Sequence, residues 1–106
     1  MFSSSVVKTL AESLAQDFNL QLPPAVLARG RGRVERQFQS ARDKLMHKID
    51  CYAETNKVGF FQRAIFANTL KWQLREAGYE RDLVDALVLD AVRRMAYIKA
   101  GSKRAG

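Results

Sequence analysis

The segment GFFQRAIFANTLKWQLREAGY, residues 59–79, constrains the fold more than any other part of the chain. At about 100° per residue, a helix over this segment carries two apolar faces. One face holds Phe61, Ile65 and Trp72, and the other holds Phe60, Phe66, Leu70 and Leu74. A helix at the rim of a small domain needs a single apolar stripe. The segment is therefore either sandwiched between two layers of its own chain or lends one face to a partner.

We expect both faces to be covered within the chain. On that arrangement Trp72, which shares a face with Phe61 and Ile65, is largely buried. The helical spacing of the aromatic residues is typical of core positions rather than of a platform for stacking bases. Among these aromatic residues, Tyr79 and Tyr97 are the ones most expected to reach solvent.

Apolar residues at three- and four-residue spacing predict three further helices, at about residues 4–18, 33–53 and 82–99. Pro23 and Pro24 stop the first helix, and residues 24–29 form at most one short helical turn. Leu20 and Leu22 are expected to pin this linker to the core. Asn56 and Gly78 are candidate left-handed caps that end the second and third helices.

The predicted fold is all-α, a compact bundle of about four helices with the helix over residues 59–79 at its centre and the last helix antiparallel to it. Its 106 residues fit one domain. We assign residues 1–100 to that single helical domain and residues 101–106 to a disordered basic tail.

The charge balance indicates the class of partner. The chain carries 18 Lys and Arg against 11 Asp and Glu, a formal net charge of +7. A surplus of that size attracts polyanions, so nucleic acid (DNA or RNA) or an acidic protein is the expected partner. The single cysteine, Cys51, excludes an internal disulfide and fits a reducing cytoplasm. No run approaches ~18 apolar residues, so no membrane partner is expected.

The sharpest polar feature is the basic segment at residues 29–36, with four arginines in eight residues. Guanidinium groups match phosphate oxygens in bidentate geometry. Two lysines extend the patch along the second helix. The predicted nucleic-acid-binding residues are Arg29, Arg31, Arg33, Arg36, Lys44 and Lys48. The alternatives are that these side chains are solvated, that they pair with Glu35 and Asp43, or that they meet an acidic protein.

Catalytic and metal-binding residues are not predicted. Asp43, His47 and Cys51 share one helix face at four-residue spacing, but zinc takes three or four ligands and the chain has no second His or Cys. His47 and Cys51 are expected to be an outward-facing pair. No Ser or Cys nucleophile has a partner base at a recognisable spacing. We therefore expect no enzyme activity and no cofactor.

Two functions remain. The first is a non-enzymatic small basic protein that binds nucleic-acid phosphates, as a subunit or regulator in a larger assembly. The second is a protein–protein interaction or oligomerisation module without nucleic acid, which rests on the surplus of apolar helix faces. A monomer with buried Trp72 would weaken the second function, and a stable homo-oligomer would strengthen it.

Overall fold

A computed structural model describes residues 4–27, 34–56 and 58–97 of the chain, and in those ranges it is all-α. The helices are α1 (Ser4–Gln21), α2 (Pro24–Leu27), α3 (Glu35–Thr55), α4 (Phe60–Ala77) and α5 (Arg81–Tyr97). The predicted helical bundle is confirmed. Its four long helices are α1, α3, α4 and α5, and α2 is the short turn expected after Pro23.

The long helices form a ring around one core. α1 packs against α4 and α3, and α5 packs against the same two helices from the other side. Two ion pairs show that α3 and α5 run in the same direction, because Arg42 contacts Asp90 and Asp50 contacts Arg94. Each helix of such a ring needs one apolar stripe turned inward.

The inward stripes follow the helical spacing of the sequence. α1 contributes Val7, Ala11, Leu14, Ala15 and Phe18, and α5 contributes Leu83, Val84, Leu87, Ala91 and Met95. α3 contributes Ala41, Leu45, Met46, Ile49 and Ala53. Among the described residues, Tyr79 is the only buried side chain that carries a hydroxyl, amide or charged group. The core is therefore held by apolar packing, the dominant favourable contribution to folding.

The ends of the helices show which capping predictions were right. Gly78 has φ 109°, in the left-handed region, and its N–H donates to the Arg75 carbonyl at 3.1 Å. This prediction is confirmed. The prediction for Asn56 is wrong, because its backbone is extended. Asn56 ends α3 differently: its backbone N–H and its side-chain amide both donate to the Tyr52 carbonyl.

The first helix is longer than predicted, because the Leu22 N–H still donates to the Phe18 carbonyl at 2.8 Å. Pro23 has no N–H and cannot continue this ladder. Leu22 is fully buried, as expected, but Leu20 is exposed. Leu20 and Leu22 are about 200° apart on a helical wheel, so one turns outward when the other turns inward.

Tyr79 joins the end of α1 to the turn between α4 and α5. It is buried at 4% exposure, so the expectation that it reaches solvent is wrong. Its hydroxyl donates to the Leu22 carbonyl at 2.5 Å and lies 3.3 Å from Asn19 Oδ1, and its ring packs against Phe18. Burial raises the pKa of the Tyr79 hydroxyl to about 12. Tyr97, the other tyrosine expected at the surface, has no described side chain.

We predict that the Tyr79 hydroxyl makes the fold sensitive to high pH. The folded pKa lies above the value of about 10 for an unfolded tyrosine. The contribution of Tyr79 to stability is therefore present below pH ~10 and is lost as the pH rises toward ~12. Tyr79→Phe should cost about 1–2 kcal/mol at neutral pH, because the buried Leu22 carbonyl loses its donor. In this variant the free energy of unfolding should also fall less steeply as the pH rises above ~10.

The measurement is urea unfolding at several pH values between neutral and alkaline. Tyr52→Phe is the matched control, because the Tyr79 hydroxyl is intact in that variant and the loss at high pH should persist. Equal pH profiles for Tyr79→Phe and the unaltered chain would contradict the role given to the hydroxyl.

Candidate functional site

The two apolar faces of α4 differ in burial. Phe66, Leu70 and Leu74 on the inner face are fully buried. On the outer face, Phe61 is 77% exposed and Trp72 is 59% exposed, and only Ile65 reaches the edge of the core. The expectations that both faces are covered within the chain and that Trp72 is largely buried are therefore wrong. α1 and α5 both pack on the inner half of α4, and the described part of the chain supplies no third layer.

Phe60 is also exposed, at 71%, although the sequence places it on the inner face. It is the first residue of α4, and the first fully buried residue of that helix is Phe66. The Gly59 N–H donates to Gln62 Oε1 at 3.0 Å and fixes the start of the helix. The ring of Phe60 packs edge-on against Phe61, with 5.9 Å between centroids. Three exposed aromatic rings thus belong to one helix.

The edges of this face carry different charges. Lys71 and Arg75 lie one turn apart on one edge, are exposed and form no ion pair with any described residue. The other edge carries no cation and has Gln62, Thr69, Gln73 and the acidic residue Glu76. We call the set Phe60, Phe61, Ile65 and Trp72, with Lys71 and Arg75, the α4 surface. It combines apolar rings with two available positive charges.

Part of the predicted nucleic-acid surface can be located. Arg29, Arg31 and Arg33 lie outside the described residues. Arg36 and Lys44 are exposed on α3 and form no ion pair within the described ranges. They do not pair with Glu35 or Asp43, the acidic residues considered above.

Lys48, the last of the predicted basic residues, is engaged within the fold. Its Nζ lies 2.6 Å from Asp17 Oδ2, so the pair connects α3 to α1. Both side chains remain partly exposed, and such a pair contributes roughly 0–1 kcal/mol to stability. Asp17 partly neutralises the positive charge of Lys48, so Lys48 attracts an external anion less strongly.

The surplus positive charge lies outside the described ranges. All 11 acidic residues fall within those ranges, together with an equal number of basic residues. The +7 surplus is therefore carried by Arg29, Arg31, Arg33, Lys57, Lys99, Lys103 and Arg104. Attraction to a polyanion would be concentrated at these positions and at exposed cations near them.

Other polar groups in the described ranges do not form a comparable site. His47 and Cys51 are exposed, and their Nε2 and Sγ atoms are 3.6 Å apart, which confirms the outward-facing pair. No group of three potential metal ligands occurs among the residues that the structure describes. An open groove of about 340 Å³ between α1 and α4 is lined by uncharged side chains and Glu12.

Comparison with known proteins adds no assignment: no protein-family model, no curated protein and no solved structure matches the chain. None of the described helices combines the length and the apolar character needed to cross a bilayer.

We predict that the two faces of α4 differ sharply in their contribution to stability. Phe66→Ala should lower the free energy of unfolding by about 3–5 kcal/mol, because it empties a fully buried site. Phe61→Ala should change it by no more than about 0.5 kcal/mol, because the ring already faces water. Urea unfolding of the monomer measures both. A large loss for Phe61→Ala would show that something covers the outer face in the isolated protein.

Proposed function

We propose that this protein is a non-enzymatic interaction module that binds another protein chain through the α4 surface, as a small subunit or regulator of a larger assembly. The observation that carries the proposal is the exposure of Phe60, Phe61 and Trp72 on one helix. Single exposed apolar residues are normal on protein surfaces, but several on one face mark interaction sites.

The size of the exposed apolar area supports this function. At the exposures given above, the three rings together present an area on the order of 400 Å². That is the size of the largest apolar patches on ordinary monomers, which are often functional. Aromatic residues are also enriched in the buried centres of protein interfaces and among the residues that dominate binding energy. Val6, Leu20 and Leu89 are also exposed, but they lie on other helices.

Site-specific photo-crosslinking in native cells tests this function. Asn68 is exposed between Phe61 and Trp72, so a benzophenone amino acid at that position should form a covalent adduct with the partner protein. The same probe at Asp43, exposed on α3, is the control and should not give that adduct. The adduct should disappear when Phe61 and Trp72 are both changed to Ala. If crosslinking at position 68 gives no adduct, or one that survives this double change, the proposed function is wrong.

A second candidate, binding of nucleic-acid phosphates, is favoured by the distribution of charge. The surplus of +7 includes Arg29, Arg31 and Arg33, which directly precede α3. Arg36 and Lys44 follow on α3 and are exposed without an ion pair in the described ranges. Such contacts give affinity that depends on salt and hardly on sequence. Lys48 is the weakest member of the set because Asp17 already holds it.

We predict that changing Arg31, Arg33 and Arg36 together to Ala weakens binding to duplex DNA. The slope of log affinity against log salt should fall in magnitude by about 2–3, since each lost phosphate contact removes close to one released counterion. Fluorescence anisotropy over a salt series measures this slope. Lys71→Ala with Arg75→Ala, on another helix, is the control and should leave the slope unchanged. An unaltered slope in the triple variant would exclude this binding mode.

A further inference from the structure

We propose that the partner segment bound by the α4 surface is an amphipathic helix whose apolar stripe is bordered by acidic side chains. This inference rests on the proposed function and adds the chemistry of the partner. Three features of the described residues support it: the shape of the apolar stripe, the unequal charge of its two edges and the presence of a single acidic residue, Glu76, on α4.

The shape of the surface suits a helix. Phe61 and Trp72 are eleven residues apart on one face, which is about 16 Å along the helix axis. Between them lie exposed Ala64 and Asn68, both small, and partly buried Ile65. The surface is therefore a shallow saddle between two aromatic ends. A helix with apolar residues at i, i+3 or i+4, and i+7 presents a matching ridge over two turns.

The charge of the α4 surface favours a partner segment of negative charge. Lys71 and Arg75 are one turn apart beside Trp72 and form no ion pair within the described ranges. The opposite edge has uncharged Gln62, Thr69 and Gln73 and one acidic residue, Glu76. Complementary charge at the rim of an interface speeds association and excludes partners of the wrong sign. Acidic residues along one side of the partner's apolar stripe would lie against Lys71 and Arg75.

A second copy of the chain fits less well. In a two-fold pair the same surface meets itself, so each copy can offer only its own side chains. Glu76 is the sole acidic residue of α4. A copy would therefore bring two more cations and one acid, with a net charge of +7 on each chain. Charge complementarity favours a different, acidic chain.

Single-stranded nucleic acid also fits less well. Base stacking needs open ring faces at the spacing of successive nucleotides, together with a cationic groove along the backbone. Phe60 and Phe61 are packed edge against face, and aliphatic Ile65 lies between them and Trp72. One edge of the α4 surface also lacks cations. An apolar helix uses the whole stripe, whereas a strand of bases would use its ends.

Peptide titration tests the inference, because Trp72 is the only tryptophan in the chain and reports directly from the site. Three tryptophan-free peptides of 18 residues, the length of α4, serve as probes. The first has a Leu stripe with Glu along one edge. The second has Lys in place of each Glu, and the third is a scrambled version of the first. The full chain is titrated with each peptide while Trp72 emission and the anisotropy of a peptide label are recorded.

The acidic amphipathic peptide should bind and shift Trp72 emission to the blue, and binding should weaken as salt is raised from ~50 to ~300 mM. The basic and scrambled peptides should bind at least about tenfold more weakly, because the rim charges or the apolar stripe no longer match. Lys71→Glu with Arg75→Glu should reverse the preference between the acidic and the basic peptide. Arg36→Glu with Lys44→Glu makes the same change of charge on α3 and should leave the preference intact.

Four results would overturn the inference: equal affinity for the acidic and basic peptides, no binding of any peptide, a preference that survives reversal of Lys71 and Arg75, or oligo(dT) displacing the acidic peptide from the Trp72 site. Sedimentation of the chain alone is the companion measurement. A concentration-dependent dimer that shields Trp72 would assign the surface to a second copy instead.

Failure of this inference is distinguishable from failure of the proposed function. A crosslink from position 68 to another protein, without binding of the acidic peptide, would leave the interaction module standing and exclude this partner chemistry. Absence of both the crosslink and peptide binding would reject both proposals.

Discussion

One core shared by a ring of four helices is the constraint on which the rest of this structure depends. Such a ring buries one stripe from each helix, and Phe66, Leu70 and Leu74 are the stripe that α4 contributes. A second apolar stripe on the same helix points away from the only core that the described residues form. The exposed rings of Phe61 and Trp72 are therefore a direct result of the topology.

Ion pairs at the surface connect neighbouring helices of the ring and decide which charges stay available. Lys48 pairs with Asp17 between α3 and α1, while Arg42 with Asp90 and Arg94 with Asp50 connect α3 to α5. These pairs occupy cations on the sides of the bundle. Lys71 and Arg75 lie beside the exposed rings, away from these pairs, so apolar area and unpaired charge coincide on α4.

The distribution of charge assigns the two candidate functions to different positions in the sequence. The described ranges carry balanced charge, and the surplus of +7 lies at positions such as Arg31 and Lys103 outside them. Attraction to polyanions would act there, while apolar contact would act at the α4 surface. The two proposed functions therefore rest on different residues.

The sequence by itself determined the helices, the inward stripes and the left-handed turn at Gly78, because helical periodicity and glycine geometry are local properties of the chain. It also showed that α4 has two apolar faces. Only the tertiary structure decided that Phe61 and Trp72 are bare and that Tyr79 is buried against Leu22, since burial depends on which helices become neighbours. Likewise, pairing of Lys48 with Asp17 joins residues far apart in the chain, which no local pattern encodes.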